Sequence, residues 1–549
     1  MASSSPNQPS SRARSLWARL LGVLHPTHAH SAFSASVLLA ASSVASAIVG
    51  LARGKYIAWI FGAGPHTDAY MAAFRLPDLM NNFLVGGAVS ITFVTILNRY
   101  RERGEEDEGE RVLFTVFNLM VIVLAAASIV LMFFAAPFIR WTNPGFPPDQ
   151  VALSAHMTRI LLPAQIFLFA GSVLGAPLLV RKQFAYQAAT PILYNLSIIL
   201  FGIMLHRRLG ISSLAIGATA GFFLGSFVIN AWGAAHAGIH YRWSLDLRHP
   251  GIRMWLYMTL PLMFGFTLPF LDQYFAGFYA SRGAGDITRL ANAKQLFSAP
   301  MSMLALAAGV ASMPFFAQLW AAEKRYEFAT GVADSVSRVV ALGLLASSLM
   351  IALSHAIVDL VFGGGHFSPS DVNLTALYFA LYTVALFAWS AQAIYARAFY
   401  AAGITWLPML ASTAILVIAF PLYGLGYSGW GAAGLAIASD LGIVLQAATL
   451  GLLLHQRHMV SLASLDFAEM GRCLLAGLAG GGAAGLIAWG LPAFAHHLPA
   501  VAALRHARYW TDAIILLAGA AAWTLAAKWT LEKSGSALPR VALRRLGLG

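Results

Sequence analysis

The sequence predicts an all-α polytopic membrane protein of about fourteen transmembrane helices, built as two pseudo-symmetric six-helix lobes with two further helices at the C-terminal side. Three observations carry this prediction. Hydrophobic residues make up 59% of the 549 residues and charged residues only 10%, against about a quarter charged in soluble domains. Apolar runs of roughly 20 residues recur from near Phe33 to near Leu531, each long enough to cross a hydrocarbon core of about 30 Å. No water satisfies backbone N–H and C=O groups inside lipid, so the spans must be helices.

Taken in order, residues 1–33 form a basic cytoplasmic tail rich in Ser, Pro and Arg. Its one apolar patch, "LWARLLGVL", is interrupted by arginine and does not read as a cleaved signal peptide. His25, His28 and His30 lie in this polar tail, and no metal role is expected of them. The first lobe, 34–235, holds apolar runs near 34–60, 69–97, 113–138, 151–180, 184–205 and 211–235. The polar stretch "HYRWSLDLRHPGIR" then opens the second lobe, 236–455, with runs near 254–281, 288–316, 331–362, 371–402, 405–424 and 430–455. Runs near 471–491 and 509–529 occupy 456–530, and a basic tail follows at 531–549.

The net charge of +13 is carried mostly by short connections and tails, which points to membrane orientation rather than nucleic-acid binding. With the N-terminus cytoplasmic, Lys and Arg number about seven outside and about twenty inside, so both termini are expected in the cytoplasm. "HRR" at His206 to Arg208 is the misfit to this pattern. The single cysteine, Cys473, excludes an internal disulfide and any cysteine-built metal site.

The two lobes read as a parallel repeat. "TPILYNLSIILFGIMLHRRLGISSLAIGATAGFFLG" in the first matches the order of "LPMLASTAILVIAFPLYGLGYSGWGAAGLAIASDLG" in the second, with proline opening a span and "LAI" following a glycine-marked turn. Repeats of this kind place a substrate site near mid-membrane between the halves. Small-residue runs also serve as plain helix-packing faces.

No nucleotide-binding loop, HExxH or GxSxG motif is present, so the reading is of a transporter and not an enzyme. An ionisable side chain costs about 2.5 kcal/mol or more at the membrane centre, so each one in a span needs a cavity or a partner. Arg53, Lys55, Asp68, Arg75 and Asp78 fall in the first two spans, and Asp272, Lys294, Asp334, Arg338, Asp359, Arg397 and Asp440 in the second lobe. Asp68, Asp334, Arg338 and Asp359 lie near helix ends, where snorkelling is the plain explanation. Arg53, Arg75, Asp272, Lys294 and Arg397 lie deeper, and four of the five are cationic, which suits an anionic substrate; arginine pairs especially well with phosphate oxygens. "FGAGP" and "FLVGGAVS" interrupt helices at Gly62, Gly64, Gly86 and Gly87, giving points of bending or of close packing.

The stretch "VGLARGKYIAWIFGAGPHTDAYMAAFRLPDLMNNFLVGGAVSITFVTILNRY", with "ATPILYNLSIIL", "RAFYAAGIT" and "GAAGLAIAS" later on, resembles the MurJ (MviN) lipid II flippases of the multidrug/oligosaccharidyl-lipid/polysaccharide (MOP) flippase superfamily. The resemblance implies a MATE-like arrangement of two six-helix lobes around a cationic cavity, with the last two helices lining a groove for the lipid tail. Together with the intramembrane charges read above, it gives an expected substrate-binding set of Arg53, Lys55, Arg75, Asn81, Lys294 and Arg397, of which Arg53 and Arg75 match family positions. Asp272 in "FLDQYF" would be the ion-coupling residue. Gly62, Gly64, Asp68, Pro77, Gly86 and Gly87 would serve structure and gating. The chain departs from the family pattern at Ala47, Gly54, Asn81, Asn82, Gly86, Gln295 and Ser298, where charged side chains are usual, and Lys294 stands one position before the lost eighth-span arginine.

The expected activity is translocation of lipid II, the undecaprenyl-diphosphate-linked peptidoglycan precursor, across the bacterial inner membrane by alternating access. The alternatives are a flippase for another polyprenyl-diphosphate glycan, a MATE-like antiporter, or a non-transporting scaffold of the cell-wall machinery. No cofactor is expected; a monovalent cation, sodium or proton, or the membrane potential would supply the coupling. The expected partners are the lipid-linked anionic glycan, membrane lipids and cell-wall synthesis proteins, with no nucleic acid.

Overall fold

The computed structural model describes residues 32–85, 89–263, 268–309, 312–495, 508–536 and 538. The expected gating glycines Gly86 and Gly87, and most of both basic tails, lie outside these residues. The described chain is helical throughout apart from its turns and one isolated bridge between Gly364 and Phe367. Nine of its helices are long and apolar enough to cross a membrane, or ten if the bent pair Pro369–Val384 and Leu386–Ala401 counts as one span.

The described helices differ from the expected fourteen runs in three respects. The helix Trp406–Gln456 is two spans joined at a break, since Trp430 (φ −135°) and Gly431 (φ 59°, ψ −140°) leave the helical region between them. Elsewhere an expected span is divided: the run near 69–97 comprises Pro65–Ala73, Arg75–Met80, a π-turn at Asn81–Val85 and Val89–Glu102. The runs near 254–281 and 288–316 include residues outside the described set.

The break at Gly431 has a counterpart at Gly210, which closes the helix Ala185–Leu209 with φ 55° and ψ −136°. Both glycines stand four residues before the leucine of "LAI", and both hold a backbone conformation that an L side chain rarely adopts. The repeat read from the letters therefore recurs in the backbone of its turn.

The chain divides into two compact units. One comprises residues 1–56, 72–140 and 148–265, and the other 57–71, 141–147 and 266–549. The sequence places 236–265 with the second lobe, but these residues pack in the first unit. Ile252 and Trp255 are buried there in one core with Leu76, Phe93, Val116 and Phe169. Conversely 57–71 and 141–147 pack with the second unit. The N–H of His366 donates to the Trp59 carbonyl at 2.9 Å, and Gly145 N–H donates to Ser281 Oγ at 3.1 Å. Polarity marks where a connection meets water and does not mark which core its flanking helices join.

Within the second unit the helices Phe467–Ala495 and Arg508–Lys533 pack on each other, the first also on Arg325–Ala352 and the second on Ser354–Phe362. Small residues make the close approach possible: a Cβ on Gly480 would meet Trp523 at 2.8 Å. Cys473 is fully buried in this seam with Ala341 and Ala476. Ser368 caps the helix Pro369–Val384 in a reciprocal box with Asp371. A thiol probe is therefore better placed at exposed Ser370 than at Ser368, whose replacement removes a cap worth about 1 kcal/mol. The connection from Gly363 to Pro369 carries no Lys or Arg and is expected outside, so Ser370→Cys in a Cys473→Ala background is expected to react with an impermeant thiol reagent in intact cells, and protection would reverse the topology.

Candidate functional site

The expected site residues divide between the two units. Arg53, Lys55, Arg75, Pro77 and Asn81 belong to the first, and Gly62, Gly64, Asp68, Asp272, Lys294 and Arg397 to the second.

In the first unit Arg53 stands on the helix Ala32–Phe61, with its guanidinium 6.0 Å from the ring centroid of Tyr194. This is cation–π range. Helix Ala32–Phe61 approaches Ala185–Leu209 closely because Gly50 and Gly202 are small: a Cβ at Gly202 would meet Tyr56 at 2.7 Å. Tyr194 also packs against Phe222, 4.5 Å between centroids. Asp78 and Arg53 both lie within electrostatic reach of Tyr194. Among the described residues Arg53 Nε is buried without a hydrogen-bond partner, so one donor of its fork is uncommitted.

Arg75 is buried and opens the short helix Arg75–Met80. That helix begins at a break because Pro77, two residues on, has no N–H to offer the Ala73 carbonyl one turn back. Thr158 Oγ1 donates to that carbonyl instead, at 3.1 Å. Asn81 then starts the π-turn, and the buried Nδ2 of Asn82 has no partner among the described residues. π-turns recur at functional sites. Lys55 is half-buried on the helix that carries Arg53.

In the second unit, the turn at Gly62 is required by geometry. Its φ is 67°, and a Cβ there would meet the His366 carbonyl oxygen at 2.4 Å. The space around Gly64 is open. Asp68 is buried and accepts hydrogen bonds from the N–H of Gly285 at 2.6 Å, the N–H of Thr288 at 2.8 Å and the Thr288 hydroxyl at 2.7 Å. It thereby serves free N–H groups at the start of the helix Asp286–Gly309. Snorkelling, the plain explanation offered by its place near a helix end, does not describe this carboxylate.

Asp68→Asn keeps one acceptor for these three donors and Asp68→Ala keeps none, so the alanine variant is expected to lose about 1–3 kcal/mol of stability and the asparagine variant less, read as thermal midpoints in detergent. Equal midpoints for wild type and the alanine variant would contradict the assignment.

Deeper in the same unit the structure brings Asp272 and Lys294 together as an ion pair across the helices Leu268–Ala280 and Asp286–Gly309. The Tyr423 hydroxyl donates to Asp272 Oδ1, and Ser439 donates to the same carboxylate. Lys294 Nζ also lies 6.0 Å from the Tyr382 ring centroid. Asp440 is within electrostatic reach of both Lys294 and Asp272. Arg397 is half-buried on Leu386–Ala401, roughly 18 Å along the axis from Ala385 at 1.5 Å per residue.

Asp440, Tyr423, Ser439, Tyr382 and Tyr194 are absent from the residue set predicted from sequence. Asp440 alone carries a signal, as a lone acid inside the apolar run "LAIASDLG". The tyrosines and the serine are ordinary membrane-helix residues until the fold brings them to a charge. Among the described residues no group of His, Cys, Asp and Glu could hold a metal ion, and Asp272 is committed to an ammonium.

The described chain is an all-helical, multi-pass fold with charged groups paired inside its helical units. It superposes on a lipid II flippase MurJ in an inward closed conformation with a TM-score of 0.71 at 20% identity, over 90% of this chain and 99% of that one. An inward-facing multidrug resistance MATE family transporter matches with a TM-score of 0.59 at 15% identity, over 75% of this chain and 94% of that one. The sequence profile described as lipid II flippase MurJ matches residues 57–499, so the chain belongs to that family. Its relatives include a probable lipid II flippase MurJ of Vibrio cholerae serotype O1, 25% identical over 88% of this chain and 95% of the relative. The lipid II flippase MurJ of Burkholderia cenocepacia is 26% identical over 77% and 84%.

Proposed function

We propose that this chain flips lipid II from the inner to the outer leaflet of a bacterial cytoplasmic membrane. The observation that carries the reading is Arg53 in a flippase-family chain, whose buried Nε has no hydrogen-bond partner among the described residues. Cations held in low dielectric call for an anion, and a diphosphate supplies paired oxygens that match a guanidinium fork. The undecaprenyl tail stays in lipid, since each methylene drawn into water would cost about 0.8 kcal/mol. Helices Phe467–Ala495 and Arg508–Lys533 would flank that tail.

The driving force in this reading is a gradient acting through the Asp272 cluster. A membrane potential supplies about 2.3 kcal/mol per charge per 100 mV. The test is expression in bacteria depleted of their own lipid II flippase. Restored growth and normal cell shape are expected. Failure to rescue, with this protein present in the membrane and a different polyprenyl-diphosphate glycan bound by it, would move the assignment to that glycan.

A further inference from the structure

We propose that a cavity at the ends of helices Arg325–Ala352, Phe467–Ala495 and Arg508–Lys533 holds the headgroup of one phospholipid that carries both a phosphate and a primary amine, of the phosphatidylethanolamine class. The inference goes beyond the flippase reading and does not depend on it.

The first argument is position. The cavity measures about 600 Å³, within the range of roughly 300–1,000 Å³ that small-ligand sites occupy. Its walls are Asp334, Arg338 and Leu342 on one face of the first helix, Asp466, Glu469 and Arg472 at the start of the second, and the residues just beyond the end of the third. All three helices are long and apolar enough to be membrane spans, and the last two begin or end at the cavity. Phospholipid headgroups lie at that level, where a span passes from hydrocarbon to water. Leu342, in the wall, and Phe467, next to Asp466, are exposed and give acyl chains an apolar surface to follow.

The second argument is that the walls are tied to one another by bonds of their own. The N–H of Asp466 donates to Ser337 Oγ at 3.0 Å, and the Ser536 hydroxyl donates to Glu469. Glu469 also accepts from Arg472 at 3.1 Å, and its N–H donates to Asp466 Oδ1 at 2.9 Å. A ligand entering such a site has little ordering to do.

The third argument is charge, which selects the headgroup. Arg338 and Asp334 meet only at 3.8 Å, with side chains 68% and 57% exposed, so their own pairing is weak. The guanidinium fork suits a phosphate and the carboxylate an ammonium. These two ions stand one turn apart on one helix, much as phosphate and amine stand two carbons apart in the headgroup. Three acids against two arginines leave the walls one negative charge in excess, which disfavours a headgroup whose only charge is its phosphate. A quaternary ammonium has no N–H to donate, and no aromatic side chain lines the cavity among the described residues to receive it.

Native mass spectrometry of the purified full-length protein tests this, with phosphatidylethanolamine, phosphatidylglycerol, phosphatidylcholine and lipid II titrated in turn. One phosphatidylethanolamine per chain is expected, bound about tenfold more tightly than either of the other two phospholipids. Arg338→Gln is expected to weaken it about tenfold and Asp334→Asn to abolish the preference over phosphatidylcholine, while Lys324→Gln, just before the same helix, leaves both unchanged. Arg338 and Asp334 are surface side chains, so both variants are expected to keep the fold. A wild type without the preference overturns the proposal, as does a preference that survives in both variants. Displacement by lipid II would make the cavity part of the transport path and overturn it too. Binding that appears only when Arg540→Gln, Arg544→Gln and Arg545→Gln are combined would make the basic tail the occupant, with the same consequence.

Discussion

Arg53→Ala is expected to abolish flipping while leaving the protein at normal levels in the membrane. The guanidinium faces the Tyr194 ring at 6.0 Å and keeps Nε unengaged, so its removal costs the fold little beyond a cation–π contact of about 1 kcal/mol. The cost to substrate binding is larger. A charge-assisted contact to a diphosphate is worth about 1.5–3 kcal/mol, or roughly 10- to 100-fold in affinity. Arg53→Lys is expected to recover little, because a point charge lacks the planar two-donor fork. Flipping rates of both variants in reconstituted vesicles measure this. A lysine variant as active as wild type would mean that positive potential alone suffices, and a fully active alanine variant would remove Arg53 from the site.

Lys294→Gln is expected to be the most destabilising single change in the second unit. It leaves Asp272 and Asp440 facing each other without the ammonium between them, and breaking a buried ion pair from one side costs about 3–5 kcal/mol. Adding Asp272→Asn removes the stranded charge, so the double variant is expected to regain most of the stability while remaining inactive in transport. Asp272→Asn alone leaves Lys294 with Asp440 and is expected to fall between the two. Thermal midpoints in detergent order the three variants. Equal losses in the single Lys294→Gln and the double variant would mean that the two side chains are not energetically paired.

Much of this site could be read from the letters because the membrane makes charge costly. Arg53, Arg75, Asp272 and Lys294 stand out in apolar runs, and the pairing of Asp272 with Lys294 is the partnership that such a cost demands. Arg397 follows the same logic, yet lies well along its helix from the bend at Ala385. Charge reports depth and not direction around a helix. Asp440 was equally visible as an intramembrane acid, but its nearness to the Asp272–Lys294 pair is set by how separate helices pack.

Helix continuity was the other gap. Pro77 signals an interruption, but its position relative to Thr158, which takes over the Ala73 carbonyl, is set by the packing of a distant span. The equivalent turns at Gly210 and Gly431 were legible because glycine there is a backbone requirement, and "LAI" follows each at one spacing. Membership of the family was legible from its motifs. The contact units were not, because 236–265 carries the polarity of a linker and the apolar side chains of a core.

The central claim is most directly tested by measuring lipid II translocation in vesicles containing only the purified protein, with a second polyprenyl-diphosphate glycan and a soluble cationic drug as parallel substrates. Movement of lipid II to the opposite leaflet, accelerated by a membrane potential and lost in Arg53→Ala, is the predicted result. Export of the drug with no movement of either polyprenyl diphosphate would contradict the account.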